Sequence, residues 1–254
     1  MYRIDLNCDM GESYGAYRLG QDEELMRHIT SANIACGFHA GDPATIRITV
    51  KRALENGVAV GAHPGLPDLQ GFGRRKMDIT PREAYEMMVY QIGAVQAFAA
   101  SEGGKVVHVK PHGALYNMAA NDAGLAEAIA EAIYKVDGSM RLYGLSGSQL
   151  TAAGEKLGIQ VMHEVFADRT YEEDGSLTPR SLAGSVLEEP GAAAKQVLAL
   201  LIQGEVKSRQ GTIVRLKADT VCVHGDTADA LGHVLSLKKA LADAGVQIAH
   251  PDQR

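Results

Sequence analysis

The chain has 254 residues, 46% of them hydrophobic and 22% charged, a balance that excludes a disordered or fibrous architecture and allows a substantial buried core. A formal net charge of −6 with scattered basic residues gives no electrostatic footprint for nucleic acid. No window has the length and apolarity of a membrane span, Arg3 and Asp5 interrupt any secretory signal, and the well-separated Cys8, Cys36 and Cys222 fit reduced thiols. The expectation is a cytoplasmic protein with neither nucleic-acid nor membrane partners.

Short apolar runs alternate with longer helical patterns along the chain, the signature of βαβ units and a parallel sheet. The first strand begins at Arg3, and strand alternation puts Asp5, Asn7 and Asp9 on one face with Ile4, Leu6 and Cys8 on the other. An edge strand with a solvated face is the bland explanation. A first strand covered on both faces would instead bury converging carboxylates, which need partners. The second strand, 32–36, leads through glycines to His39 and to Asp42, which precedes Pro43 and reads as a helix cap. The third, 58–62, delivers His63 at its carboxyl end, and the Gly- and Pro-rich stretch 64–75 reads as a long loop.

Thr80-Pro81-Arg82-Glu83 is a capping box, and Ala84, Met87, Met88, Val95, Phe98 and Ala99 after it share one helical face. In the fourth strand, 105–110, valines alternate with His108 and Lys110, and His112 continues the polar face. An interior lysine requires a partner; Asp5 or Asp9 as a structural counter-ion and a catalytic role for Lys110 are both open. The fifth strand spans 140–145, with a helix start at 146–149. The sixth, 161–166, runs into a charged loop, 168–178, holding Arg169 and Tyr171, and Thr178-Pro179 reads as a further helix start. The seventh, 220–224, ends on His224, with Asp226 placed to cap a helix whose apolar face is Leu231, Val234, Leu235 and Leu241.

Seven central strands result, without a linker or a repeat, and residues 1–254 read as one α/β domain. Several strands each present a polar residue at the carboxyl end before a glycine-rich turn, and in parallel α/β folds that end carries the active site. The chain therefore reads as an enzyme. Phosphate-loop, dinucleotide-binding and serine-elbow motifs are absent, so any ATP site is unconventional. Asp9, His39 and His63, with His112 and His224, have the donor types of a catalytic metal site but no recognisable ligand spacing.

The segments 5–12, 32–42, 61–65, 109–117, 164–171 and 223–226 together resemble the LamB/YcsF family, and the likeness runs from about Tyr2 to Pro251. That resemblance implies a seven-stranded parallel (β/α) barrel, TIM-like and related to the glycoside hydrolase and deacetylase barrels. It also implies the activity of the A component of 5-oxoprolinase, which opens the lactam of 5-oxo-L-proline to L-glutamate with ATP hydrolysis beside two further components, B and C. ATP, with Mg2+, would be the cosubstrate. Joined to the residue reading, the resemblance puts Asp9, Asp5, Lys110 and His112 at the reacting centre. Asn7 and Asn33 would orient the amide and Arg169 would hold the carboxylate, with His39, His63 and His224 also in the binding site. The competing readings are a stand-alone metal-dependent amidase or carbohydrate deacetylase, and a non-catalytic lactam-binding subunit.

Overall fold

The computed structural model describes residues 2–187, 189–223 and 230–252. Its strands are β1 (Arg3–Met10), β2 (Ser31–Ala35), β3 (Ala59–His63), β4 (Val106–Val109), β5 (Arg141–Leu145), β6 (Val161–Phe166), β7 (Glu205–Lys207), β8 (Ile213–Arg215), β9 (Thr220–Val223) and β10 (Gln247–Ile248). The helices are α1 (Asp22–Leu25), α2 (Pro43–Glu55), α3 (Pro81–Ser101), α4 (Gly113–Asn121), α5 (Ala123–Asp137), α6 (Gln149–Lys156), α7 (Pro190–Gln203) and α8 (Ala230–Asp243). Strands β1 to β6 pair in sequence order, β9 follows β6, and a β1–β9 pairing closes the ring. All seven of these neighbour contacts are parallel, so the expected seven-stranded (β/α) barrel is the architecture. Strand β10 adds to the outer end of β1 through Arg3 and Ile4.

The alternation read in β1 is the division between barrel lumen and helical coat. Ile4, Leu6 and Cys8 are buried in the apolar cluster beneath the helices, whereas Asp5 and Asn7, equally buried, bond to polar side chains of neighbouring strands. The helix signals act as expected at three starts. Asp42 accepts from the amides of Ala44 and Thr45, Ser148 caps α6, and Thr80 and Glu83 form the reciprocal capping box of α3. On α3, Ala84, Met88, Val95 and Ala99 are buried, with Met87 and Phe98 packed at the margin.

Some expectations fail. Thr178-Pro179 starts no helix: the Thr178 carbonyl is bonded by Arg169, the Leu182 amide closes a turn onto Pro179, and α7 begins at Pro190. Leu235 is exposed and Leu237 takes its place in the core, because α8 is rotated relative to the face drawn from the sequence. The β7–β8 hairpin, only three residues per strand, is too short to give a strand pattern in the sequence. His224 and Asp226 lie outside the described residues.

Packing in the lumen is close enough to dictate glycine at one strand position. A Cβ on Gly61 of β3 would lie 2.0 Å from His108 Nε2 of the adjacent β4. Only a residue without a side chain lets this buried imidazole fill the centre of the barrel. Gly61→Ala is therefore expected to lower the unfolding free energy by about 1–3 kcal/mol through overpacking. Urea unfolding measures it, and an unchanged midpoint would contradict the close approach.

Candidate functional site

The lumen is filled by polar layers, each built from residues on different strands. Lowest lies Asp5, whose oxygens accept hydrogen bonds from the hydroxyls of Thr30 (2.6 Å), Ser31 (2.7 Å) and Thr220 (2.5 Å). Above it, Asn7 Nδ2 donates to Thr220 at 2.8 Å, and Asn33 Nδ2 donates to Asn7 Oδ1 at 2.7 Å and to Asp9 Oδ1 at 2.9 Å. Asn33 Oδ1 accepts from His108 Nε2 at 2.8 Å, which fixes the tautomer of that ring. Asp5, Asn7 and Asn33 are thus saturated by protein partners beneath the cavity. They set the position of the residues above and do not line the space a ligand would fill.

Lys110 crowns these layers. Its Nζ lies 2.8 Å from Glu164 Oε1, 3.0 Å from Asp9 Oδ1, 3.2 Å from Asn7 Oδ1 and 3.2 Å from Cys222 Sγ. Burial opposes its charge, but the carboxylates of Asp9 and Glu164 outweigh that penalty and hold the ammonium well above its usual range. Lys110 is therefore a fixed cation and no base. Its counter-ions are Asp9 and Glu164, where the sequence offered Asp5 or Asp9. Tyr116 donates to the other oxygen of Glu164 at 2.6 Å.

Beside the lysine, three imidazoles meet. His63 Nδ1 donates to the Lys110 carbonyl at 2.7 Å, and His112 Nε2 donates to the Phe72 carbonyl at 2.8 Å. His39 stacks on His112 with ring centroids 3.7 Å apart and planes within 1°. Burial pushes His39 well below the usual histidine range, with repulsion from His112 and His63 adding to it. Burial and the adjacent His63 push His112 down to about 3. Both rings are neutral near pH 7. Glu12 completes the group, and Glu12, His39, His63 and His112 offer ligand atoms all within 4.8 Å of one another, donors suited to a metal ion. Gly73, at φ +61°, keeps its loop against these rings: a Cβ there would stand 2.7 Å from His39 Cβ and 2.9 Å from His112 Cδ2.

A cavity of about 520 Å³ opens beside these groups at the carboxyl end of the barrel. Partly buried Asp9 and buried His63, Lys110 and His112 line its inner part, and exposed Arg74, Lys76 and Arg180 line its rim. Arg169 also lines it, yet Nε and Nη2 donate to the carbonyls of Ser185 and Thr178, tying the 168–178 loop down. A second cavity of about 510 Å³, between the β1–α1 connection and α2, gathers exposed charges of both signs and none of the buried ionisable cluster.

The LamB/YcsF family profile matches residues 4–254. The chain belongs to the LamB/YcsF family. It is 58% identical over 249 residues to the 5-oxoprolinase A component of Brevibacillus brevis, covering 98% of each chain. A lactam utilization protein of Thermus thermophilus, known from its crystal structure, superposes with a TM-score of 0.91 at 44% identity, over 97% of this chain and 99% of that one. A polysaccharide deacetylase of Bacillus cereus shares only the fold, with a TM-score of 0.52 and 14% identity over 100% of this chain and 95% of that one.

Of the LamB/YcsF residues singled out by sequence, Asp9, His39, His63, Lys110 and His112 come together. Sequence reasoning missed Glu12, Glu164 and Tyr116 as members. Alternation along β6 carried a signal for Glu164, since Met162, Glu164 and Phe166 share the face opposite Val161, His163 and Val165. No such signal existed for Glu12, which follows the turn made by Gly11 at φ +69°, where strand alternation ends.

His108 makes the barrel sensitive to acid. Burial first, then repulsion from His250 and Lys110, holds its pKa well below the usual value, so the folded ring is neutral. Below the unfolded pKa of about 6.5 the unfolded chain takes up a proton that the folded chain refuses. Stability is thus complete above that pH and falls as pH drops below it. Urea titrations are expected to show a loss of up to about 1.4 kcal/mol per pH unit from this ring, removed in His108→Gln. Equal slopes in the two proteins would exclude His108 as the source.

Proposed function

We propose that this chain is the A component of an ATP-dependent 5-oxoprolinase, hydrolysing the lactam of 5-oxo-L-proline to L-glutamate together with two partner subunits. The observation that carries the reading is the 58% identity, across 98% of both chains, to a protein named as that component of 5-oxoprolinase. The cavity suits the chemistry. A lactam carbonyl is a weak electrophile, and attack on it, or its phosphorylation by ATP, builds negative charge on or near the amide oxygen. Lys110 is a cation held rigidly for that charge, with no reorganisation needed when the charge appears. His112 lies beside it within the same cavity.

Asp9 is the carboxylate best placed for proton transfer, because one oxygen meets Lys110 and Asn33 while Oδ2 lies 3.2 Å from His63 Nε2. Arg169 was the residue expected to hold the substrate carboxylate. With two of its donors tied to loop carbonyls, the exposed Arg74 and Arg180 at the rim share that task better in this reading. ATP with Mg2+ is the cosubstrate, and the rim cations Arg74, Lys76 and Arg180 are of the right sign for its phosphates. Among the described residues, no helix is long and apolar enough to cross a membrane.

A second reading, a metal-dependent amidase acting without ATP, draws on the Glu12, His39, His63 and His112 cluster. One assay separates the two: glutamate formed from 5-oxoproline by the chain with and without its partner subunits, with and without ATP. Turnover that requires ATP and the partners is expected. In the reconstituted complex, Asp9→Ala and Lys110→Ala should each lose on the order of 100-fold or more in 5-oxoproline-dependent ATP turnover. Near wild-type rates in both variants, with native circular dichroism, would remove the assigned site.

A further inference from the structure

The histidine cluster beside Lys110 has hydrogen bonding that neutral imidazoles by themselves do not explain. A main-chain carbonyl only accepts. The Lys110 carbonyl therefore requires a proton on His63 Nδ1, and the Phe72 carbonyl requires one on His112 Nε2. In the neutral rings, the nitrogens that remain, His63 Nε2 and His112 Nδ1, both carry lone pairs. They face each other at 2.9 Å. Two lone pairs at that distance repel unless a positive charge joins them.

The surroundings repeat the pattern. His39 is fully buried, and among the described residues neither of its ring nitrogens makes a hydrogen bond, while Nε2 lies 3.4 Å from Glu12 Oε1. Such an unsatisfied buried imidazole calls for a missing partner. Glu12 Oε1 is also 3.6 Å from His112 Nδ1. Nitrogen and oxygen ligands about 2.0–2.1 Å from a tetrahedral zinc lie roughly 3.3 Å apart. Three spacings between the candidate atoms, 2.9, 3.4 and 3.6 Å, bracket that value, and all four atoms lie within 4.8 Å of one another. Carbonyl acceptors behind two of the imidazoles match the outer shell that orients histidine ligands in metal sites.

We infer that His39, His63, His112 and Glu12 bind one divalent transition-metal cation. Three imidazoles and a carboxylate form an N/O set suited to Zn2+, Mn2+, Fe2+ or Co2+ and unlike the all-oxygen shells of Ca2+. The four ligands come from the ends of β1, β2, β3 and β4, so the cation ties four strand-to-helix connections together. When bound, it supplies Lewis acidity next to Asp9 and Lys110. This assignment stands apart from the lactam reading: metal binding fails or succeeds whatever the substrate is.

The competing arrangement is metal-free, with an extra proton on His63 Nε2 bridging Asp9 Oδ2 and His112 Nδ1. Metal analysis of the full-length, untagged chain separates them. Mass spectrometry of the purified protein, and of chelator-stripped protein re-dialysed separately against Zn2+, Mn2+ and Co2+, is expected to find a single bound equivalent. Thermal midpoints should rise on re-addition, and Co2+ should show the d–d absorption of a protein-bound ion. Glu12→Gln and His112→Ala should each weaken binding by on the order of tenfold or more while keeping native circular dichroism. His163→Ala is the control: that ring pairs with Glu155, away from the cavity, and the variant should bind as the parent does. Sub-stoichiometric metal with no thermal shift for any ion, or undiminished binding in both ligand variants, overturns the assignment.

Discussion

A single buried ammonium organises the barrel lumen. Removing Lys110 from water carries a cost that only close counter-charges offset, and the fold provides Asp9 and Glu164 at 3.0 and 2.8 Å from β1 and β6, the two strands that flank β9. Those carboxylates are themselves held, Asp9 by Asn33 and Glu164 by Tyr116. Asn33 is held in turn by His108, which fits only because Gly61 has no side chain. Losing one partner of the ion pair would leave a buried charge without compensation, whereas losing an outer layer would loosen its geometry. The chemistry at the mouth thus depends on packing that reaches down to Asp5.

The same dependence sorts the polar residues by depth. Asp5, Asn7 and Asn33 carry the residue types of a catalytic site, yet every one is saturated by neighbours in the lumen. Asp9, Lys110, His63 and His112 lie one layer higher, where the strands end and the cavity opens. A polar residue in a β-barrel lumen supports or reacts according to its height along the strand. That height follows from strand register, which staggers equivalent positions around the ring. This layered geometry leaves the cavity at the carboxyl end of the barrel, above the saturated layers.

Much of the fold was legible, for definite reasons. Alternation in β1 and β4 put Asp5, Asn7, Asp9, His108 and Lys110 on the inner face, and the caps at Asp42, Thr80 and Ser148 marked helix starts. Local chemistry decides such features. Thr178-Pro179 imitated a cap because a threonine before proline also suits a turn, and the demands of the Arg169 guanidinium settled which it became. The buried face of α8 is centred on Leu237 and not Leu235, because helical periodicity fixes the width of an apolar stripe better than its angular centre.

What the sequence determined by itself was the class of architecture, the inward set of side chains and the family, since each rests on patterns within a few residues or across the whole chain. Tertiary structure alone decided the partnerships. Glu12 joined the histidines through a turn at Gly11 that ends strand alternation, and Glu164 met Lys110 only because β4 and β6 flank β5 and the closed ring curves their inner faces together. Distances between residues on different strands depend on closure and register, and neither is written in any one segment of the chain.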